Sequence, residues 1–369
     1  MRRVSLARKN LFQDRRRAML AVFGVGAAFV LVLVLDGIFN GAMNQVTAYI
    51  RHSPADVFVA QRNVKTMHMT ASALPPSTLN DVRAVDGVAW ADGLRFTSST
   101  VNVGTNSLLT YVLGYDTATA RGGPRRIARG RPPGPGQAVI DSTAADELGV
   151  AVGDVVRILG QPFSISGLST GGTNIVNTSV FITSDDFAKL RGPTYAYILV
   201  GARGDTAVSV LEHRLQRALP QTTVMSRSEF AAQEANVVRS MAADVMAIMT
   251  AIGFLIALAL IGLTLFTSTI SKQREYGVLK ALGANTRRLS AIVIAQAAWT
   301  VALALVVAVA LSLAIGRAIG ALTPNLEVDV QLGSIVRTSV SALVIGSLAA
   351  LLPLRRVTRV DPATAFRRP

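Results

Sequence analysis

Four uncharged apolar runs constrain this chain more than any other feature. They are Ala18–Leu35 (18 residues), Val245–Ser271 (27), Leu289–Gly316 (28) and Thr338–Leu354 (17). A helix needs about 20 apolar residues to cross a hydrocarbon core. A soluble domain of 369 residues does not carry four such runs, and half of this chain is hydrophobic. The first run is too long for a signal-peptide core and lacks a small-x-small cleavage site before a polar start. The chain is therefore expected to be a four-span membrane protein.

Charge gives the expected orientation. The net charge is +15, and three segments account for almost all of it. The N-terminal flank holds Arg2, Arg3, Arg8, Lys9, Arg15, Arg16 and Arg17; the segment after the second run holds Lys272, Arg274, Lys280, Arg287 and Arg288; the tail holds Arg355, Arg356, Arg359, Arg367 and Arg368. Asp14, Glu275 and Asp361 are the only acids among them. With four spans these segments fall on one side, which the positive-inside rule assigns to the cytoplasm. The charge is thereby explained without nucleic acid. The lipid bilayer is the expected partner, the bacterial cytoplasmic membrane the expected location, and both termini are expected inside. Cysteine is absent, so neither disulfides nor thiol chemistry are available.

Between the first two runs lies a long region of near-neutral charge. Short strand-like stretches recur at Val57–Ala60, Gly87–Trp90, Leu108–Gly114, Ala138–Ile140, Val155–Leu159, Phe163–Gly167, Ser179–Thr183 and Ala196–Val200. Helices are expected at Pro76–Val85 and Asp205–Leu219, the second with Val208, Leu211 and Leu215 on one face and Asp205 as N-cap. The expected fold class is a membrane protein of α+β type, with a large extracytoplasmic mixed α/β domain between helices 1 and 2. Ser226-x-x-Glu229 is a capping box that starts a long helix, about 63 Å if it runs to Ile270. That is twice the hydrocarbon thickness, so part of it is expected to stand outside the membrane as a stalk. Val238, Met241, Val245, Ile248 and Ile252 follow coiled-coil spacing along it. This seam suits either a second copy of the chain or the chain's own first helix. Asp36, near the outer end of the first span, is expected to be a solvated or capping carboxylate.

The string S-K-Q-R-E-Y-G-V-L-K-A-L-G-A, Ser271 to Ala284, resembles the cytoplasmic segment that follows the second membrane helix in MacB/FtsX-like ABC transporter permeases (type VII, mechanotransmission), which include DevC/LolC-type permeases. Gly130–Leu168, with Gly153-Asp154 as a tight turn, resembles the family's small β-rich insert, and the tail, through Asp361, Pro362, Ala365 and Arg367, resembles its end. The resemblance implies a division of the chain: a cytoplasmic amphipathic leading helix (1–17), the first membrane helix (18–40), the extracytoplasmic domain (41–227, insert about 115–190), stalk and second helix (228–271), coupling helix (272–288), third helix (289–322), a short outer loop (323–333), fourth helix (334–354) and cytoplasmic tail (355–369). It implies that Arg274, Glu275, Tyr276, Gly277, Leu279, Lys280, Leu282 and Gly283 dock onto an ABC ATPase subunit. Two ATPases and two permeases, the second a copy or paralogue, are implied. The ATPase would bind ATP and Mg, this chain no cofactor. The implied role is a permease that turns ATP hydrolysis into movement of the extracytoplasmic domain, for export or extraction of a substrate. An adaptor, lipoprotein or hydrolase outside the membrane is a further implied partner, the last in members that regulate a cell-wall hydrolase without transport. Such members seldom carry the insert.

Other signals are set aside on chemical grounds. Gly167-x-Ser169-x-Gly171 has the nucleophile-elbow pattern, but no helix is expected after it, and His52, His68 and His213 are the only possible bases; a glycine-rich loop is the better reading. No G-x-x-x-x-G-K-[ST] is present, so the chain has no P-loop for ATP. Three scattered His and no Cys make no metal cluster, and His68 between two Met is taken as incidental.

Overall fold

The computed structural model describes residues 15–172, 178–281, 285–323 and 326–351. The leading helix expected over 1–17 (all but its last three residues) and the tail over 355–369 lie outside these. The chain divides into two compact units, one of membrane helices (1–41, 242–323 and 327–369) and one α/β unit (42–241 with 324–326).

Among the described residues the membrane unit holds four helices long and apolar enough to span a bilayer. They belong to α1 (Arg15–His52), α6 (Arg227–Ser271), α8 (Thr286–Leu322) and α9 (Leu332–Ala349), with the short α7 (Gln273–Ala281) between α6 and α8. Lipid tails are as apolar as leucine, so helices here associate by close packing of small residues rather than by hydrophobic sorting. The contact surfaces follow that rule: Ala28, Ala257, Ala297, Ala304, Ala308, Ala342 and Ala349 are buried, with Phe29, Leu33, Ile261 and Leu265 filling between them. A methyl at Gly253 would sit 2.6 Å from Val32 and one at Gly346 2.8 Å from Val301, so both positions require glycine for the helices to approach. Asp36 is not a solvated cap. Its carboxylate pairs with Arg337 of α9 at 2.7 Å and accepts from Asn40 at 3.1 Å, while Asn40 also reaches Ser334 at 3.3 Å. Charge is tolerated here because it is paired across two helices.

The α/β unit is built on a ten-stranded sheet. Its strands are β1 (Val57–Gln61), β2 (Val88–Val103), β3 (Asn106–Tyr115), β4 (Arg126–Gly130), β5 (Gln137–Asp141), β6 (Val155–Ile158), β7 (Gln161–Thr170), β8 (Thr178–Thr183), β9 (Tyr197–Ala202) and β10 (Thr222–Ser226). The order is β10-β1-β9-β2-β3-β8-β5-β7-β4, with β6 against β2 and β7. The pairs β3–β8 and β5–β7 are parallel and the other pairs antiparallel. Among the described residues four short helices complete the unit: α2 (Ser77–Arg83), α3 (Ser142–Leu148), α4 (Ser184–Arg191) and α5 (Val208–Ala218).

Three cores hold this unit. One packs α2 and α5 on the β10-β1-β9-β2 half, through Leu79, Val82, Leu211 and Leu215 on Val57, Ile198 and Val224. A second packs α3 and α4 on the other half, through Ala144, Leu148 and Phe187 on Ile140, Val180 and Ile182. The third gathers Ile50 of α1 and Phe230 of α6 with Phe58, Tyr115, Phe181 and Tyr197. A fully buried aromatic such as Phe58 or Phe230 stabilises the fold by about 1.5–3 kcal/mol.

Several expectations need correction. The strand expected to stop at Trp90 is 16 residues long and joins both halves of the sheet; polar Asp92 and Arg95 hide it, yet both are buried with partners. The residue preceding α5 as its N-cap is Ala207, with no side-chain cap, rather than Asp205, whose carboxylate is turned to the Thr206 hydroxyl. The Gly167–Gly171 stretch is mostly strand, since β7 runs to Thr170. A methyl at Gly167 would meet the Arg131 carbonyl at 2.8 Å, which explains the glycine without a catalytic elbow. Ser169 is 1% exposed within that strand.

Candidate functional site

Six of the expected coupling residues fall on α7. The last turn of α6 ends in hydroxyl residues whose side chains bond backward along the helix: Thr269 to Leu265 at 2.7 Å and Ser271 to Ser268 at 3.0 Å. One turn of chain at Lys272 then leads into α7. Asn285 restarts the chain as the N-cap of α8, accepting from the Arg287 N–H at 3.2 Å. Gln296 of α8 donates to the Ser268 hydroxyl of α6 at 3.0 Å, tying together the two helices that flank α7. Such a bond within a bundle is worth about 0.6–2 kcal/mol.

The structure places Arg274, Glu275, Tyr276, Gly277, Leu279 and Lys280 on the α7 backbone. Glu275 and Val278 are exposed, Gly277 is buried, and Lys280 is half-buried. The side chains of Arg274, Tyr276 and Leu279, and Leu282 and Gly283 altogether, lie outside the described residues.

The seam residues sit on α6. The Ser226 hydroxyl accepts the Glu229 N–H at 3.3 Å, so half of the capping box forms. At 45 residues the helix is about 67 Å long. Met241, Val245, Ile248 and Ile252 are 69%, 54%, 61% and 49% exposed, and Val238 is half-buried. The chain's own first helix therefore does not bury these four. Gly253 of α6 meets Val32 of α1, and Ala257, Ile261 and Leu265 are the α6 residues buried in the core shared by the membrane helices.

One buried polar cluster in the α/β unit escaped sequence reasoning. Glu234 of α6, 1% exposed, accepts from His68 Nδ1 at 2.6 Å and from the Met67 N–H at 2.5 Å. His68 lies 4.5 Å from the Tyr111 ring, and Tyr197 donates to the Thr66 carbonyl at 3.1 Å. Burial, and then the Glu234 charge, raise the Tyr197 hydroxyl well above the usual tyrosine range, so it stays a donor. His68 is thus a structural partner of Glu234 and not incidental. The only available signal was an acid on the apolar face of a helix, which has no partner in the sequence to point to. Among the described residues no group of three His, Cys, Asp or Glu is placed to hold a metal.

Comparison with known proteins agrees with this architecture. Residues 18–218 match the family described as MacB-like periplasmic core domain, and residues 247–362 match the FtsX-like permease C-terminal family. An uncharacterized ABC transporter permease of Mycobacterium tuberculosis strain H37Rv is 27% identical over 362 residues, 98% of each chain. One of Mycobacterium bovis is 27% identical over 355 residues, 95% of this chain and 96% of its own. The periplasmic region of MacB from Actinobacillus actinomycetemcomitans is similar with a TM-score of 0.40 and 15% identity, over 48% of this chain and 92% of that one. The extracellular domain of the transporter YknZ from Gram-positive bacteria gives a TM-score of 0.38 and 13% identity, over 46% of this chain and 99% of that one. The family matches take in the first membrane helix, nearly all of the α/β unit, α7 and the last two membrane helices, and the chain belongs to the MacB/FtsX-like family of ABC transporter permeases.

Proposed function

We propose that this chain is the permease subunit through which a separate ATPase drives movement of an extracytoplasmic domain, for export or extraction of a substrate. The observation that carries the reading is the FtsX-like match over 247–362, which takes in the whole Ser271–Ala284 string. In this reading α7 is the docking element on the ATPase. Its short basic helix with apolar and aromatic residues at three- and four-residue spacing suits a groove on a protein partner. ATP and Mg belong to the partner, since this chain lacks a phosphate-cradling loop. The exposed apolar seam of α6 supports a second permease, copy or paralogue, packed along the stalk. The charge distribution supports a cytoplasmic membrane location with α7 and both termini inside.

The natural absence of cysteine makes a direct test available. Val278→Cys, on the exposed side of α7, is expected to cross-link to lysines of the co-expressed ATPase through a short maleimide–succinimidyl ester linker. Val210→Cys, exposed on α5, is expected not to. Equal cross-linking at both positions, or none at Val278→Cys when the two proteins co-purify, contradicts the docking assignment.

A further inference from the structure

The sheet of the α/β unit ends at β4, which among the described residues pairs with β7 alone. Its other edge presents backbone N–H and C=O groups that a further strand could use. The charge at this edge is set apart from the rest of the unit. Residues 42–227 carry 17 Lys and Arg against 13 Asp and Glu, and the whole excess lies in one segment. Arg121, Arg125, Arg126, Arg129 and Arg131 fall there, and no acid occurs from 117 to 140. Arg121 is already committed, paired with Asp92 at 3.2 Å and stacked on Trp90 at 4.1 Å. The other four are exposed, and among the described residues none has an ion pair or a side-chain hydrogen bond.

A break in register sorts these side chains. Arg126 lies opposite Thr170 of β7 and Ile127 opposite Ser169, but the next paired residue is Arg129, opposite Leu168, so Ala128 is a bulge. Cross-strand partners share a face, and Thr170 and Leu168 point the same way along β7. Arg126 and Arg129, which an unbroken strand would send to opposite faces, thus lie on one. Ile127 goes to the other face and packs on the core that holds Phe58 and Phe181. Like charge on an edge repels a second copy of the same strand. It favours an acidic one: carboxylates at alternate positions of an added strand would stand opposite Arg126 and Arg129, and the guanidinium fork takes a carboxylate through two hydrogen bonds. A lipid surface or a phosphate polymer would use the charge and leave the open backbone unused.

We propose that the free edge of β4 docks an extended acidic segment of a partner protein, which adds to the sheet as a further strand. The proposal stands on the α/β unit and does not depend on the docking of α7. The test is fluorescence anisotropy at low ionic strength, with the full chain in nanodiscs of uncharged lipid. The probe is a labelled peptide, Thr-Glu-Val-Glu-Val-Glu-Thr with blocked ends. Three controls go beside it: the same peptide with Lys for every Glu, the same peptide N-methylated at two adjacent central amides so that both of its edges are blocked, and inorganic polyphosphate. The acidic peptide is expected to bind, with the Lys and N-methylated forms at least tenfold weaker. Arg126→Glu combined with Arg129→Glu changes only exposed groups and is expected to keep the wild-type melting temperature. It should weaken the acidic peptide at least tenfold and bind the Lys peptide instead. No binding of the acidic peptide at millimolar concentration, equal binding of its N-methylated form, or a double variant that binds it like the wild type overturns the proposal. Binding of polyphosphate without binding of the acidic peptide overturns it too, and makes the patch a site for phosphate polymers.

Discussion

At the scale of single residues, the buried polar groups carry the sharpest predictions. Glu234 satisfies both His68 and the Met67 N–H, so Glu234→Ala strands one buried and one partly buried donor, at about 1–3 kcal/mol for the buried one. Chemical denaturation of the α/β unit should show a loss of that order, with His68→Ala costing less because it leaves Met67 bonded. An equal stability of wild type and Glu234→Ala would show that the cluster is solvated rather than buried. Glu212 on α5 gives a pH dependence. Burial, and then the nearby Glu229 charge, hold its carboxyl above the ordinary glutamate range. A pKa raised in the folded state means the folded chain binds that proton more tightly. The associated stability is present at low pH and is lost as pH rises through the raised value. Glu212→Gln should abolish this loss, so the fall in melting temperature between pH 4 and pH 7 should be smaller in the variant than in the wild type. An identical fall in both contradicts it. Neither cluster could be read from the sequence, because each joins residues far apart in the chain: His68 with Glu234, and Glu212 with Glu229 across a strand.

At the scale of elements, legibility follows hydropathy. The membrane helices stand out because each must satisfy its backbone internally and face lipid. The strands expected at Val57–Ala60, Leu108–Gly114 and Ser179–Thr183 were legible from their apolar runs and are present as β1, β3 and β8. β4, with sequence RIARG, and β10, with sequence TTVMS, were not, since two adjacent apolar residues in a short edge strand leave no period to find. α3 and α4 were missed for a related reason: seven and eight residues give fewer than three turns, and their signal is the caps Asp141 and Thr183 rather than a face. The seam on α6 was legible as a pattern, but its occupant was not, because 3–4 spacing marks an apolar stripe and not what covers it. Its exposure in the structure leads to a prediction at this scale. Ile248→Asp places a charge on a surface that is 61% exposed in the single chain. The variant should keep the wild-type melting temperature of the α/β unit yet shift the detergent-solubilised permease from dimer to monomer in sedimentation. A retained dimer would show that the stripe faces lipid or solvent.

At the scale of the whole molecule, the sequence conveyed the order of parts because that order is written in lengths and charges, whereas the ten-stranded sheet order is not. The parallel pairs β3–β8 and β5–β7 bring together residues about 70 and 30 positions apart, and no local pattern encodes which strand lies next to which. Orientation is testable without structural perturbation. Thr105→Cys, exposed at the β2–β3 turn, should react with a membrane-impermeant maleimide in intact cells, and Val278→Cys should react only after permeabilisation. Reaction of both in intact cells would break the four-span arrangement.

The central claim is that α7 docks on an ATPase, and the most direct measurement is co-purification of that ATPase with wild type and with Leu279→Glu, beside thermal unfolding of each permease alone. A carboxylate introduced at a docking face is buried without a partner, at a cost of several kcal/mol. The expected result is at least a tenfold loss of bound ATPase and of its stimulated turnover, with an unchanged melting temperature. Retained ATPase binding with a lowered melting temperature would show instead that this face packs within the chain and that the docking assignment is wrong.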